Sequence, residues 1–496
     1  MGRSAATVGR RAVLRAGAGL AMVPLARALR ARAATAPDVE AEVGIVGSGP
    51  AGAILACALA RRGVPVLLIE SGPRSDAPRD PRLAELDIYD AAGPVPYPLA
   101  ASRFRGAGGT TNLWSGTCPR LHPSDFDPHP YTPAGAPWPI DYAELEPYYL
   151  PAEVELAVRG VDGAPNAPPR RAPFPRQIGA AAPNLDELTR RRGVELALHW
   201  LPRSTGDGGP IRIAASHLPE LEASPNATLV SDATVTRIEG GAGGRIEGLR
   251  LERLDGPPRM ARARAYVLAC GGVESARLLL LSALGDRSGQ LGRNFMEHPL
   301  VALGTGTVDA DFPTSPYAEW LCTEEFVDPA RRRGLGGLRI RVVAEPRKEP
   351  PRRLAIAVRA EIETAPSPAN RIGLGARRDA FGNPGARLAL SFTDADQRTM
   401  AYGETLVWQT LNALGVADPR VEAGFLRWGH HHIGTCRMGD DPTTSVVDRH
   451  LRVHGTDNLY VAGSAPFVTS GISNPTLTIA ALSLRLADHL AEQWRT

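Results

Sequence analysis

Three consecutive histidines near the C-terminal end are the residues whose type and spacing most directly suggest chemistry. His430, His431 and His432 stand in the stretch GHHHIGTCRMG, and Cys436 follows four residues later. Such a group could bind a metal ion, supply a catalytic base or only pack. If the stretch is a strand, neighbouring side chains point to opposite faces, so three adjacent residues cannot converge on one ion. This alternation disfavours a metal site and leaves one histidine as a candidate base.

A glycine-rich turn near the start of the chain has the spacing of a phosphate-binding loop. The apolar run Val43–Val46 enters GSGPAG, a helix-forming stretch follows, and a second apolar strand ends at an acid. The first glycine permits the tight turn, the second lets the backbone approach a pyrophosphate, and the third lets helix and strand pack closely. The alternative is a turn with a purely structural role. The strand–turn–helix context favours dinucleotide binding by Gly47, Gly49, Pro50, Ala51, Gly52 and Glu70.

The acid at the end of the second strand indicates which dinucleotide is bound. Glu70 follows Gly47 by 23 residues and can accept hydrogen bonds from ribose hydroxyls. A carboxylate there favours a free 2′-hydroxyl, so the pattern predicts FAD or NAD rather than NADP.

Two further glycine-containing segments could approach a planar ring system. The stretch RGAGGTTNLW combines small residues with polar side chains and backbone N–H groups, which suits close approach to a ligand. Taken alone, it cannot be distinguished from an ordinary loop. The apolar strand AYVLAC leads into Gly271-Gly272 and a new helix, a second strand–glycine–helix turn. The candidate residues in these segments are Gly109, Thr110, Thr111, Asn112 and Gly271.

The elements that must position these residues indicate an α/β protein. Strand–turn–helix patterns predict a Rossmann-like dinucleotide-binding domain built from discontinuous segments, 38–120, 191–300 and 425–496. Short strand-like runs between Pro and Gly turns predict an antiparallel sheet in the middle of the chain. We therefore assign residues 121–190 and 301–424 to a substrate-binding domain. A chain of 496 residues exceeds the usual size of a single domain, so two domains or one large composite are expected.

A C-terminal helix follows the strand NLYVAG. Pro475 stands at its expected first turn, where the missing N–H of proline would have no helical partner. We expect Ser473 or Asn474 to cap this helix, which runs to about residue 490.

Composition gives no support for several functional classes. The formal net charge is +3, but residues 1–33 contain seven Arg and no acid, so the remainder of the chain is mildly acidic and gives no reason to predict nucleic-acid binding. The five cysteines are widely spread and contain no CxxC or CxxCH, which gives no support for a zinc finger, thioredoxin chemistry or attached haem. We predict no essential disulfide.

The first 33 residues have the order of an export signal. Arg10-Arg11 precede a moderately apolar stretch, and the small-residue sequence Ala31–Ala33 is typical of a cleavage site. The apolar run is too short to span a bilayer, and the paired Arg resembles a twin-arginine signal. A disordered Arg-rich extension is the alternative. We predict twin-arginine export to the periplasm or the extracellular space, without a transmembrane span in the mature chain.

Seven segments together resemble the glucose–methanol–choline (GMC) oxidoreductases, a family of FAD-dependent alcohol oxidases and dehydrogenases. They occur in the family's order and spacing over residues 42–300 and 425–496: VGSGPAG…IESG, GGTTNLW, ACGGVESARLLLLS, GRNFMEHP, HIGTCRMG, SVVDRHLRVHGTDNLYVAG and SNPTLTIAALSLRLADHL. Many members carry Asp where this chain has Gly463-Ser464. In this respect the chain resembles the bacterial sugar and polyol dehydrogenase and pyranose-oxidase-like branch of the family.

The resemblance implies roles for individual residues. His431, four residues before Thr435, would be the general base that takes the hydroxyl proton while hydride passes to flavin N5. Asn474 would bind the substrate oxygen. His298 would be structural or lie near the flavin. Beyond the glycine motifs, the further residues implied to bind FAD are Val235, Gly463, Ser464, Pro475 and Thr476.

The resemblance also implies the cofactor and partners. In the pyranose-oxidase pattern the histidine that binds flavin covalently precedes the Trp, whereas Leu113 precedes Trp114 here, so we expect non-covalent FAD. The substrate would be a sugar, polyol or glycoside, and the electron acceptor O₂, a quinone or a separate cytochrome. The alternatives are an oxygen-using oxidase of a non-sugar alcohol and a flavin-binding protein without turnover.

Overall fold

The computed structural model of the chain describes residues 39–74, 81–128, 137–178, 196–206, 209–309, 321–346, 353–422 and 424–493. The predicted export signal lies outside these residues. The strands within them are β1 (Val39–Val46), β2 (Val66–Ile69), β3 (Tyr89–Ala92), β4 (Val158–Gly160), β5 (Arg176–Gln177), β6 (His199–Trp200), β7 (Arg203–Ser204), β8 (Ala227–Val230), β9 (Thr234–Gly240), β10 (Ile246–Glu252), β11 (Arg259–Leu268), β12 (Pro299–Asp309), β13 (Leu321–Thr323), β14 (Leu338–Pro346), β15 (Arg353–Ile362), β16 (Arg371–Arg378), β17 (Pro384–Ala389), β18 (Ala417–Glu422), β19 (Arg427–Trp428) and β20 (Leu459–Val461).

The helices of the described residues cover these sheets. They are α1 (Pro50–Ala60), α2 (Tyr142–Glu155), α3 (Ile213–Ser216), α4 (Leu218–Ala223), α5 (Gly271–Leu281), α6 (Val327–Arg332), α7 (Asp394–Ala413) and α8 (Thr476–Glu492). Short 3₁₀ turns occur at Pro81–Leu86, Gly109–Asn112, Pro123–Phe126 and Ala242–Gly244.

The first large sheet confirms the predicted Rossmann-like arrangement. Its strand order is β8-β2-β1-β11-β10-β9, and β20 also pairs with β11. The β8, β2, β1, β11 and β20 pairings are parallel, and β10 and β9 add an antiparallel edge. Because α1 follows β1 and α5 follows β11, both predicted glycine turns lie at the carboxyl ends of neighbouring parallel strands, where open α/β sheets bind ligands.

The second large sheet is antiparallel, as predicted for the middle of the chain. Its order is β18-β12-β15-β14-β13-β6, and β19 extends the pairing of β12. Helix α7, capped by Thr393 and Asp396, packs on β12 and β15, and their apolar side chains form a core separate from that of the first sheet.

The packing of two segments differs from the assignment made on sequence. Helix α2 packs against α8 and shares the core of the first sheet, although it lies within 121–190. Strand β6 pairs with β13 in the second sheet, although it lies within 191–300. Contacts between residues far apart in the chain decide where such short elements pack. The domain boundaries themselves stay a prediction.

Candidate active site

A cavity of about 480 Å³ runs along the carboxyl ends of the parallel strands. It is bordered by the turns that follow β1, β2, β11 and β20, and by the first residues of α8. This volume lies within the range usual for small-molecule sites.

The first glycine turn has the geometry predicted for a dinucleotide loop. Gly47 has a φ of 103°, and a Cβ there would lie 2.6 Å from the carbonyl oxygen of Ala269, so no other residue fits. A side chain on Gly52 would overlap the carbonyl of Gly47, which explains the packing role expected for this glycine. Helix α1 begins at Pro50 without an acidic residue in its first turn, so its N-terminal N–H groups are suited to a phosphate.

The second glycine loop packs directly against the first, and both border the cavity. A Cβ on Gly109 would lie 3.0 Å from the Cα of Gly49, so glycine at position 109 lets the two backbones approach each other closely. Thr111 and Asn112 do not line the cavity: Thr111 Oγ1 donates to the carbonyl of Gly108 at 2.6 Å, and Asn112 Nδ2 donates to the carbonyls of Ala107 and Gly109 at 2.8 Å. These two side chains hold the loop in shape.

Glu70 also stabilises the first glycine turn through hydrogen bonds. Its Oε2 accepts from the backbone N–H and the hydroxyl of Ser48 at 3.1 and 2.7 Å, and its Oε1 accepts from Gly72 N–H at 2.9 Å. A carboxylate offers about four acceptor positions, so one is left for a ribose hydroxyl. The loops and this acid fit FAD. The residues that would hold it are the predicted ones that border the cavity: Gly47, Gly49, Pro50, Ala51, Glu70, Gly109, Thr110, Val235, Gly271, Gly463, Ser464, Pro475 and Thr476.

The three histidines diverge, but not because they alternate along a strand. The strand β19 ends at Trp428, and His430 has a φ of 62°, which turns the backbone between its neighbours. His430 is exposed, whereas His432 Nε2 lies 2.9 Å from Ser102 Oγ. Within the described residues, no group of three His, Cys, Asp or Glu side chains is arranged to hold a metal ion.

His431 is the histidine that reaches the predicted partner. Its Nε2 lies 3.2 Å from Asn474 Nδ2, and both residues border the cavity. On its other side, His431 Nδ1 lies 2.8 Å from His298 Nδ1, and His298 Nε2 lies 2.7 Å from the carbonyl oxygen of Gly471. His298 is therefore in direct contact with the candidate base.

The ends of this hydrogen-bond chain fix the direction of every proton in it. The carbonyl of Gly471 only accepts, so His298 carries its proton on Nε2, and its Nδ1 accepts from His431 Nδ1–H. His431 Nε2 is then an acceptor and receives the amide N–H of Asn474. At the other end, Arg339 Nη1 donates to Asn474 Oδ1 at 3.3 Å. His431 Nε2 is therefore unprotonated, and its single lone pair is engaged by the amide of Asn474 at the edge of the cavity.

Burial keeps the two histidines of this chain uncharged. His431 borders the cavity, and its burial, together with the nearby His298, holds its pKa well below the usual value for histidine. Burial lowers the pKa of His298 as well. A neutral imidazole with an unprotonated Nε2 can accept a proton, as a general base must.

Glu297 anchors the backbone around both histidines. Its Oε1 accepts from His431 N–H at 2.6 Å and from the hydroxyl of Tyr97 at 2.8 Å, and its Oε2 accepts from His298 N–H. Burial raises the pKa of this carboxyl to about 7 in spite of these donors.

Helix α8 starts next to this site without a side-chain cap. Pro475 is its N-cap residue, and neither predicted cap is used, because Ser473 Oγ donates to the carbonyl of Arg120 at 2.6 Å and Asn474 faces His431. The N–H groups of the first turn are thereby left facing the cavity, where they favour negative charge.

The fold and the site together define a dinucleotide-dependent oxidoreductase, and comparison with known proteins gives the family. The family description "GMC oxidoreductase" matches residues 100–300 and 366–483, and "FAD binding domain" matches residues 40–82. The chain belongs to the GMC oxidoreductase family. The predictions of FAD as cofactor and of a GMC-type alcohol dehydrogenase or oxidase are therefore confirmed.

Individual relatives match over nearly their whole length. The chain is 28% identical to fructose dehydrogenase large subunit of Gluconobacter japonicus, over 91% of this chain and 97% of that protein. It is 30% identical to 6'''-hydroxyparomomycin C oxidase of Streptomyces lividus, over 91% and 92%. Formate oxidase of Aspergillus oryzae RIB40 has a similar fold, with a TM-score of 0.67 at 18% identity, over 93% of this chain and 100% of that chain.

Residues of the site that sequence reasoning missed come from three separate parts of the chain. They are Tyr97, Glu297 and Arg339. One advance signal for Arg339 was the strand sequence LRIRVV, where two Arg alternate with apolar residues and so share one face of a sheet, and Glu297 lies in the motif GRNFMEHP. All five cysteines are free, and no helix among the described residues has the length and hydropathy of a membrane span.

Proposed function

We propose that this protein oxidises a CH–OH group of a sugar, polyol or glycoside to the carbonyl, with His431 as the general base. The observation that carries the proposal is the hydrogen-bond chain that leaves His431 Nε2 unprotonated at the edge of the cavity, paired with Asn474, whose amide a substrate hydroxyl would displace from it. FAD, when bound, supplies the hydride acceptor.

The pair His431–Asn474 is complementary to a hydroxyl group. A substrate hydroxyl between the two side chains would accept the amide N–H of Asn474 and donate its proton to His431 Nε2. Removing this proton raises the electron density on the oxygen and so assists departure of hydride from the carbon. The Asn474 amide fixes the oxygen while this occurs, which restricts the angle at which the C–H bond is presented.

The substrate class is supported by the relatives. Fructose dehydrogenase large subunit, which is similar across both chains, is named for a sugar. The test is anaerobic bleaching of the oxidised-flavin absorbance by a panel of sugars, polyols, glycosides and simple alcohols. We expect bleaching by at least one polyhydroxylated substrate at low concentration. Bleaching only by simple alcohols would contradict the substrate class, and no bleaching by any alcohol would contradict turnover itself.

The electron acceptor is decided by a second step of the same experiment. The reduced protein is exposed either to air or to an anaerobic quinone or cytochrome c, and the return of flavin absorbance is timed. Rapid return in air identifies an oxidase, and rapid return only with the quinone or the cytochrome identifies a dehydrogenase.

We further propose non-covalent FAD and twin-arginine export. Leu113, at the position where the pyranose-oxidase pattern has its linking histidine, has no nucleophilic atom. Arg10-Arg11 before the apolar stretch supports export of a protein that folds around its cofactor first.

A further inference from the structure

A buried arginine of the antiparallel sheet lies directly behind the catalytic pair. Arg339 on β14 is 0% exposed, and its Nη1 donates to Asn474 Oδ1 at 3.3 Å. It does not border the cavity, so it cannot contact a substrate except through Asn474. The proposed reaction leaves this charge without a role.

Two carboxylates fix the position of this guanidinium. Arg339 Nε donates to Glu324 Oε1 at 2.8 Å, and Nη1 donates to Glu361 Oε2 at 3.2 Å. Arg339 and Glu361 are paired residues of the neighbouring strands β14 and β15, so the sheet register sets one of these contacts. Burial opposes the charge of Arg339, but Glu324 and Glu361 raise its pKa, and it stays ionised.

Glu324 is itself held from the opposite side. Its Oε2 lies 3.4 Å from His122 Nε2 and 3.5 Å from His199 Nε2. The arginine thus cannot follow a movement of Asn474, because its carboxylate partners are anchored elsewhere in the fold. A guanidinium fixed in this way imposes its geometry on the amide.

The amide of Asn474 has two possible orientations, and only one of them is compatible with an unprotonated His431 Nε2. Arginine has donors and no acceptor, so Asn474 must present Oδ1 to Arg339 and Nδ2 to His431. In the flipped orientation, Oδ1 would face the lone pair of His431 Nε2. That repulsion is relieved only if His431 moves its proton to Nε2, which breaks its bond to His298 and blocks the base.

We infer that Arg339 is a positioning residue that sets the amide orientation of Asn474 and thereby keeps His431 Nε2 unprotonated. This inference rests on the proposed function. It assigns to the antiparallel sheet a part in the chemistry besides its part in substrate binding.

The test is a double-mutant cycle between Arg339 and Asn474, measured as the anaerobic rate constant of flavin reduction. Arg339→Lys keeps the positive charge between the two carboxylates and so protects the fold, but its single ammonium nitrogen cannot occupy the positions of both Nε and Nη1, through which Arg339 bonds Glu324 and Asn474. The double variant Arg339→Met/Glu361→Gln, which removes one positive and one negative charge together, is a second way to remove the contact with Asn474. With Asn474 present, we expect either variant to slow reduction about 13- to 160-fold, the range for one hydrogen bond to a charged group. In the Asn474→Ala background, the same changes should slow it less than about twofold, because the residue through which Arg339 acts is gone.

A matched control is Arg341→Lys, since Arg341 Nη1 donates to the same Glu361 at 3.0 Å, whereas the bond to Asn474 Oδ1 is made by Arg339. We expect it to leave the rate unchanged within twofold. Equal fold-losses for Arg339→Lys in both backgrounds would overturn the inference, because they would indicate a general structural effect. If His431→Ala reduces its flavin at the wild-type rate, the proposed function itself fails. If His431→Ala is slow while the cycle is additive, only the role of Arg339 fails.

Discussion

His298→Ala tests whether the hydrogen bond from His431 to His298 keeps the proton of His431 on Nδ1. His298 connects His431 to the carbonyl of Gly471, and Gly471 is held by its own N–H, which donates to Glu363 Oε1 at 3.0 Å. Without His298, nothing at that end requires His431 to carry its proton on Nδ1. Part of the population then carries it on Nε2 and cannot act as a base.

The size of the effect follows from one buried neutral hydrogen bond. Such a bond contributes about 0.5–1.5 kcal/mol. Because each 1.36 kcal/mol corresponds to a factor of ten in rate, flavin reduction should slow roughly 2- to 13-fold. Loss of a general base costs far more, typically 10²- to 10⁴-fold. His298→Ala should therefore lie clearly between the wild type and His431→Ala.

The assay is anaerobic stopped-flow reduction of the bound flavin at saturating substrate. His454→Ala is the matched control, since His454 Nε2 also lies 3.0 Å from a backbone carbonyl, that of Gly439, but outside the cavity. An unchanged rate in His298→Ala, or a loss as large as that of His431→Ala, would refute the reasoning about proton direction.

Three further predictions follow from single features of the molecule. Acid precipitation should release all the flavin into the supernatant, and flavin retained in the washed pellet would contradict non-covalent binding. Replacing Arg10-Arg11 by Lys-Lys should stop export, and unchanged export would count against a twin-arginine signal. Folding raises the pKa of Glu297 from 4.5 to about 7, so the native state binds this proton more tightly than the unfolded chain. The contribution of Glu297 to the free energy of unfolding is therefore fully present below pH 4.5 and is lost as pH rises through 7. As pH rises from 5 to 8, the free energy of unfolding of Glu297→Gln should therefore increase by up to about 3 kcal/mol relative to that of the wild type. A difference in thermal midpoint that does not change with pH would contradict this prediction.

The parts of the site that sequence analysis could predict are those carried by local patterns. Gly47 and Gly52 are needed by contacts within one β1–α1 unit, so their spacing was informative. The position of His431 came from its distance to Thr435 in a family motif. The divergence of the three histidines was predicted, but its cause was not, because a φ of 62° at His430 cannot be read from strand periodicity.

The parts that could not be predicted depend on contacts between distant elements. Arg339 reaches Asn474 across 135 positions of sequence, and its place is set by the register of β14 against β15. The two predicted caps of α8 are used elsewhere because Asn474 is drawn to His431 and Ser473 to the carbonyl of Arg120. Local capping preference is worth about 1 kcal/mol and gives way to such tertiary contacts.

The central claim is that His431 Nε2 takes the substrate proton, and single-turnover flavin reduction by His431→Ala tests it most directly. The variant should retain bound FAD, since the glycine loops that would hold the cofactor are untouched. Its flavin should be reduced anaerobically 10²- to 10⁴-fold more slowly than that of the wild type, with the same substrate. Reduction within twofold of the wild-type rate would contradict the account.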